Sequence, residues 1–397
     1  MPTGSYAHIR GYPKPAQEDR PAYRLLVVRL FVPTEITPGE RRVAVIPDTV
    51  AKLSKFGLDI IVESGAGAAS FGSDAEYEAA GANIVAAEHV AAAFSAADVV
   101  ATVRPLSPEQ AELLKAGAVA VSFLQPSGDR ATIEAIAARG ASALSFDLLP
   151  RISRAQSMDA LTSQALVTGY RSVLVAAALS PKFFPLFMTA AGTIPPARVL
   201  VLGAGVAGLQ AIATAKRLGA IVSAYDVRAA SADEVRSMGG TFIELELEAL
   251  EAGGGYAKEM GEERAARQRE LLTPYITAAD VLITTAAVPG RRAPLLVTSD
   301  MVATMTPGSV VVDLAAETGG NVEGSEAGAT QDRDGVKVYG ARDAASAMPM
   351  HASKLYAMNV VALLGLVVSD GVLTLDTEDE IVDGCAVVLD GSIRKEA

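Results

Sequence analysis

The sequence predicts an α/β fold of two domains, each built on a parallel sheet and joined to the other by long helices. Three observations carry that prediction. Short apolar runs alternate with helical segments, as parallel strands and their right-handed crossovers require. The alternation happens twice, on either side of an apolar, Ala-rich stretch at residues 158–179. A chain of 397 residues also exceeds one ordinary core, so two domains are the natural division.

In the first run, residues 25–31 read as a buried strand, followed by the polar loop PTEITPGERR. A helix at 47–56 leads into a strand at 59–63; residues 91–96 are helical, 98–104 strand-like and 108–116 helical. Residues 119–124 and 142–147 are further strands, with a helix at 131–139 between them. The second run places strands at 199–202, 221–225, 241–244, 281–284, 310–313 and 336–338. The stretch 158–179 is expected as one long connecting helix and 353–367 as another, after which short strands return to the first domain. The expected division is therefore a flexible tail at 1–23, a first domain at 24–161 completed by 346–397, and a second domain at 162–345.

Composition narrows the function. Half the residues are hydrophobic, a fifth are charged and Trp is absent; small aliphatic side chains of this kind suit helices packed closely on parallel sheets. A formal net charge of −12 argues against nucleic acid and against adhesion to an anionic surface, and reads most simply as solubility. Cys385 stands alone, so no internal disulfide forms and a reducing compartment is expected. It falls in a strand-like run at 381–389 with no His beside it, a weak setting for a nucleophile. The first 23 residues are polar and Pro-rich, without the apolar stretch of a secretory signal. The longest apolar run, 359–368, falls short of the roughly twenty residues a spanning helix needs, so no membrane crossing is expected.

The most informative segment is ARVLVLGAGVAGLQAIATAKRLGAIVSAYDVR at 197–228. An apolar strand ends at Gly203, the glycines fall as Gly203-x-Gly205-x-x-Gly208, a helix follows, and a second strand ends in Asp226. Gly203 permits the tight turn, Gly205 lets a pyrophosphate approach the backbone, and Gly208 lets helix and strand pack closely. The helix start, with Val206, turns amide N–H groups and a positive dipole end toward phosphates. Asp226, followed by Val227 and Arg228, is placed to accept from the adenosine ribose hydroxyls. A glycine turn with a surface Asp is the bland alternative, but strand, turn, helix and acid together make a dinucleotide fingerprint. With the strand–helix alternation of both halves, two Rossmann-like domains with a nucleotide cleft between them are expected. The acid favours NAD(H) over NADP(H). Arg228 is within reach of a 2′-phosphate, but Asp226 occupies that ground first. An earlier glycine cluster at 62–68 lacks the third glycine and the acid, and reads as a loop.

Around the fingerprint, several segments resemble one family. They are PGERRVAVIP (38–47), PRISRAQSMD (150–159), the stretch 189–220, GGYAKEMGEE (254–263), TTAAVPG (284–290), PGSVVVDLAAETGGN (307–321) and the residues around Tyr356–Asn359. Together they are similar to the NAD(H)-binding component, the alpha subunit, of proton-translocating NAD(P) transhydrogenases, which are related to the alanine dehydrogenases. The resemblance covers nearly everything from about residue 25 onward, and PRISRAQSMD is its most specific element because alanine dehydrogenases do not carry it. It implies that this chain binds NAD(H) and that a partner component holds NADP(H). Hydride then passes directly between the nicotinamides, coupled to proton movement through a membrane component. The partner and membrane components are expected as separate polypeptides, the chain as a homodimer, and the whole as a peripheral assembly on the cytoplasmic face of a membrane.

Carried over residue by residue, the resemblance assigns Arg151, Gln156 and Asp159 to the loop around the nicotinamide, with Gln156 positioning the ring. Thr162 stands where the family often has Ser, and Ile152, Ser153 and Arg154 are expected as nucleotide contacts. Tyr256 matches a loop residue that closes over the nucleotide, with Gly254 and Gly255 as its hinge. Gln268 and Ala287 match further nucleotide contacts, Ala287 in place of a larger aliphatic residue. Without the resemblance, Arg151 and Asp159 would read as a solvated ion pair at a helix start, and Tyr256 as a surface aromatic.

Hydride transfer between nicotinamides needs aligned rings and a dry site rather than a general acid or base. That agrees with the poverty of candidates: His8, His89 and His351 all lie away from the fingerprint in sequence, and no metal-ligand set is expected. An alanine dehydrogenase-like oxidoreductase is the alternative within the same fold. It needs proton-handling groups, and the matching strand ends carry Arg104 and Gln125, which do not shuttle protons at neutral pH. A non-catalytic NAD(H)-binding module is the alternative from another class.

Overall fold

The computed structural model describes residues 27–125, 128, 130–245, 261–287 and 292–394. The expected tail and the assignments to Gly254, Gly255 and Tyr256 lie outside them.

In chain order, the first strands are β1 (Val28–Val32), β2 (Leu58–Glu63), β3 (Asn83–Val85), β4 (Val99–Ala101), β5 (Val119–Ser122) and β6 (Ser142–Ser145). The helices between them are α1 (Pro47–Ser54), α2 (Asp74–Ala79), α3 (Val90–Ala96), α4 (Pro108–Glu112) and α5 (Arg130–Ala138). The long α6 (Ala160–Leu179) leads to a hairpin, β7 (Phe187–Thr189) and β8 (Gly192–Ile194). Next come β9 (Arg198–Leu202), α7 (Val206–Arg217), β10 (Ile221–Tyr225), α8 (Ser231–Ser237), β11 (Thr241–Phe242) and α9 (Glu262–Thr277). Then β12 (Val281–Thr284), α10 (Ser299–Ala303), β13 (Val310–Asp313), β14 (Thr330–Arg333) and β15 (Val336–Gly340) complete a second sheet. Finally α11 (Pro349–Val367), the short β16 (Val368–Ser369) and β17 (Val372–Leu373), α12 (Glu380–Cys385), β18 (Ala386–Leu389) and β19 (Ser392–Ile393) close the chain.

The first sheet runs β19-β18-β6-β5-β4-β1-β2-β3, parallel except at β18, which is antiparallel to both β6 and β19. The second runs β11-β10-β9-β12-β13-β15-β14, parallel except for β14. Leaving out the antiparallel edges, both are the same doubly wound pattern, with the order reversing between β1 and β4 in one and between β9 and β12 in the other. Such switch points leave a crevice at the carboxyl ends of the strands. Central strands are buried on both faces, which is why they read as unbroken apolar runs. In β9, Val199 and Val201 face a core completed by Val173 and Ala176 of α6 and Ala211, Ile212 and Ala215 of α7. Leu200 and Leu202 face the opposite core, with Leu272 and Ile276 of α9 and Met301 and Val302 of α10.

Helix α6 ties the halves together. It starts beside α11 in the first domain and packs against α7 in the second. A Cβ at Gly169 would collide with the Ala207 carbonyl of α7, so only glycine allows this approach.

Helix α2, strand β3, the β7–β8 hairpin and strand β14 do not figure in the sequence expectation, and three expected elements are instructively different. The run 381–389, read as a strand, is helix α12 and then strand β18. Asp379 caps the helix by accepting from the Ile381 N–H (2.8 Å), and Ile381, Val382 and Cys385 fall on one buried face. Helix α11 starts four residues early, because Pro349 at its first turn has its φ already set for a helix. At 19 residues it is the one described helix long and apolar enough to cross a membrane, yet it is a core helix, with Tyr356, Val360 and Leu364 buried. Strand β11 is only two residues long.

Candidate functional site

At the second switch point β9 ends in Gly203, whose φ of +102° is a left-handed conformation that glycine adopts without strain. Gly205 then caps α7, exposed, with open space where a side chain would stand. At Gly208 the helix lies so close to β9 that a Cβ would strike the Gly203 carbonyl. That carbonyl also accepts from Thr285 Oγ1 (3.0 Å). The first turn of α7, beginning at the exposed Val206, has no acceptors for its N–H groups within the helix. The turn therefore offers an anion a backbone cradle with no side chain in the way.

Asp226, one residue beyond β10, leans back over this turn. Its Oδ2 accepts from the Ala204 N–H (2.7 Å), and its Oδ1 accepts from the Arg228 N–H (2.8 Å) and Nε (3.0 Å). Burial, and the Asp226 carboxylate after it, push the neighbouring Tyr225 hydroxyl up to about 12. Val227 packs into the core beneath, while Ala287 is exposed after β12. Gln268 on α9 is buried, and its Oε1 has no hydrogen-bond partner among the described residues.

The loop after β12 is braced by two residues that the sequence alone did not single out. Asn321 accepts from the Ala286 N–H (3.0 Å) and donates to the Ala286 carbonyl (2.8 Å). Asp313 is fully buried and accepts from Thr284 Oγ1 (3.0 Å), the Ala315 and Val322 N–H groups and Ser325 Oγ. Their place in VVVDLAAETGGN, one at a strand end and one after paired glycines, was the available signal.

The segment 150–159 forms a separate group at the start of α6. Ile152 precedes a 3₁₀ turn over Ser153–Met158, anchored by the buried Ala155 and Met158. Ser153, Arg154 and Gln156 are exposed, as is Arg151. Arg154 is bidentate on Asp379 (2.6 and 2.8 Å). Asp159 caps α6, accepting from the Thr162 N–H (2.9 Å) and Thr162 Oγ1 (2.6 Å), so the threonine keeps the hydroxyl contact a serine would make. The Ser157 carbonyl accepts from Asn359 Nδ2 of α11 (2.9 Å). Helix α6 links this group to the glycine turn.

The first switch point is built differently. Glu40 is buried and holds Arg42 Nη2 (2.6 Å) and Arg104 Nε (2.8 Å), while Arg104 Nη2 reaches across to Asp343 of the second domain. Arg42 Nη1 also donates to Gln164 of α6 (2.9 Å). Burial works against the Glu40 charge, but Arg42 and Arg104 overcome it and hold the carboxyl at about 2. Glu35 accepts from the Val103 N–H (2.5 Å) and Arg104 N–H (3.2 Å), yet burial pushes it up to about 7. A cleft of about 260 Å³ lies between the domains here, lined by Arg42, Arg104, Gln125, Asp147, Gln164 and Asp343 among others. Its arginines are committed to ion pairs. His89 precedes α3 and His351 is exposed on α11, so neither enters this group or the glycine turn.

Residues 31–168 match the family model of the N-terminal domain of alanine dehydrogenase/PNT, and residues 172–396 match that of its C-terminal domain. The chain is 47% identical over 376 residues to an NAD(P) transhydrogenase subunit alpha chain of Rhodospirillum rubrum, covering 92% of this chain and 97% of that one. It is 43% identical over 364 residues to NAD(P) transhydrogenase subunit alpha of Haemophilus influenzae, covering 91% and 70%. The crystal structure of transhydrogenase from Sinorhizobium meliloti superposes with a TM-score of 0.84 at 43% identity, covering 92% of this chain and all (100%) of that one. The chain therefore belongs to the alanine dehydrogenase/PNT family, among the NAD(P) transhydrogenase alpha subunits.

Proposed function

We propose that this chain binds NAD(H) in the second domain and passes hydride directly between it and NADP(H) held by a partner subunit. The observation that carries the reading is the glycine turn with Asp226 tied over it, a cradle for pyrophosphate with an acceptor at the ribose. Gly203, Gly205, Val206 and Gly208 would hold the phosphates, and Asp226, Val227 and Arg228 would line the ribose. Gln268 and Ala287 would face the rest of the nucleotide, with Gly255 and Tyr256 closing over it. The bound dinucleotide supplies the hydride at its nicotinamide. The chain's role is to orient and to exclude water, through Gln156, Arg151, Asp159 and Thr162, with Ile152, Ser153 and Arg154 beside them. In this reading the first domain is 24–161 plus 346–397, and 162–345 is the nucleotide domain. The chain works as a homodimer with NADP(H)-binding and membrane proton-channel components, peripheral to the cytoplasmic membrane. The ion-paired state of Arg104 favours this over a self-contained amino-acid dehydrogenase, because a guanidinium held by two carboxylates moves no proton.

Gln156→Asn tests the assignment. It keeps the amide and withdraws it by one methylene, so NADH affinity should change little. Single-turnover hydride transfer with an NADP(H)-binding partner should fall on the order of a hundredfold, because about 1 Å of misplacement has that cost. Equal falls in both quantities would make Gln156 an ordinary contact.

A further inference from the structure

We infer that Arg228 and Asp226 form a latch on the ribose pocket, in which Asp226 holds back a guanidinium that would otherwise bind a 2′-phosphate, and Arg228 occupies the acceptors a ribose needs. The inference rests on the second-domain glycine turn being the NAD(H) site.

The geometry is specific. The Asp226 side chain is 7% exposed. Its Oδ1 takes the Arg228 N–H and Nε, and its Oδ2 takes the Ala204 N–H and Arg228 Nη2 (3.2 Å). An ionised carboxylate accepts about four hydrogen bonds, so all its positions are filled. Two of the donors are backbone groups fixed by the turn and the strand end. The other two belong to the guanidinium of a side chain that is 35% exposed and can leave. A ribose diol that donates to Asp226 must therefore take the place of Arg228. The same guanidinium also reaches the Ala204 carbonyl (3.4 Å), within the glycine turn. The hydrogen bond to Asp226 raises the Arg228 pKa against the opposing effect of burial, and the fields of Asp226 and Glu234 add to it.

The consequences are opposite for the two nucleotides. For NADH, Arg228 is a competitor, and detaching it offsets some of the ribose interaction. For NADPH, Arg228 is a partner on hand for the 2′-phosphate, but it carries a carboxylate with it. Preference for NAD(H) thus comes from Asp226, which holds Arg228 back, and removing the acid alone leaves a phosphate site.

The test is calorimetric titration of NADH and of NADPH into the full chain and into Arg228→Ala, Asp226→Asn and the double variant. Arg228→Ala should tighten NADH and weaken NADPH, widening the preference on the order of tenfold, the scale of one charge-assisted contact. Asp226→Asn should tighten NADPH by about the same factor, and the double variant should lose that gain. Arg228→Ala alters a third-exposed side chain, so the ratio stays readable even if Asp226→Asn unfolds. If Arg228→Ala shifts both nucleotides equally, or if the single and double Asp226 variants bind NADPH alike, the latch is wrong while the NAD(H) site stands. If the unaltered chain binds neither nucleotide, the NAD(H) reading falls and the latch with it.

Discussion

At the carboxyl end of β9 the chain turns on glycine and leaves backbone amides facing the crevice. At the carboxyl end of β1, which holds the same central place in the other sheet, the following loop carries Glu35, Glu40 and Arg42 and lines the crevice with charged side chains. The strand order around the two switch points is the same, so topology alone provides two crevices. What separates them is whether the loop removes side chains or supplies charged ones. The first makes a cradle for an external anion. The second makes an internal clamp whose charges answer one another and reach the other domain through Asp343. The fold offers a position, and the residues at the strand ends decide its use.

The sharpest way to break this contrast is at the glycines. Gly208→Val would drive a side chain into the Gly203 carbonyl, and a loss on the order of 4 kcal/mol is expected in thermal or denaturant unfolding. Gly205→Ala points into open space, so stability should stay within about 0.5 kcal/mol. Its NADH affinity should nevertheless drop, because the methyl stands where a pyrophosphate would approach. Equal damage to stability from both variants would mean that the turn is built for packing alone.

At the clamp, Arg104→Gln leaves Asp343 without this partner and Glu40 with Arg42 as its paired cation. The expected cost is about 3 kcal/mol, the low end for breaking a buried pair, because Arg42 stays in place. NADH affinity, measured alongside, should move far less than in Gly205→Ala.

The effect at Glu35 shows only as a pH dependence, and its sign is opposite to that of Glu40. With its folded pKa raised to about 7 from 4.5, Glu35 favours the folded state when protonated. Its contribution is present below pH 4.5 and is lost as pH rises through 7. Glu40, lowered to about 2, contributes above pH 4.5 and loses that contribution as pH falls through 2. Glu35→Gln should therefore flatten the decline in stability between pH 4.5 and 7, read from denaturant midpoints across that range. An unchanged slope would place Glu35 outside the clamp's electrostatics.

The two crevices were not equally legible in the sequence. The glycine turn and its acid lie within 24 residues, and the covalent chain fixes their spacing, so the fingerprint could be read locally. The clamp joins Arg104 to Glu40 across 64 positions and to Asp343 across 239, and no local pattern announces such a meeting. The fold class followed from strands buried on both faces, whose apolar runs are hard to mistake. Residues 381–389 misled because a single helical turn and a short strand, both buried, merge into one apolar run, and only the cap at Asp379 separates them. The sequence places Arg228 near the ribose, but the grip of its guanidinium on Asp226 is a matter of rotamer, which sequence does not carry.

Helix α6 has a metric consequence. It begins at the Asp159 cap, beside Gln156, and at Gly169 it lies tight against α7, at the residue that follows Val206. Ten residues of helix span about 15 Å, and each residue added or removed changes that span by about 1.5 Å and turns it by about 100°. The segment 159–169 therefore acts as a ruler between the loop that carries Gln156 and the turn that carries Gly205. Inserting one residue there would leave both ends chemically intact yet out of gauge with a single extended ligand.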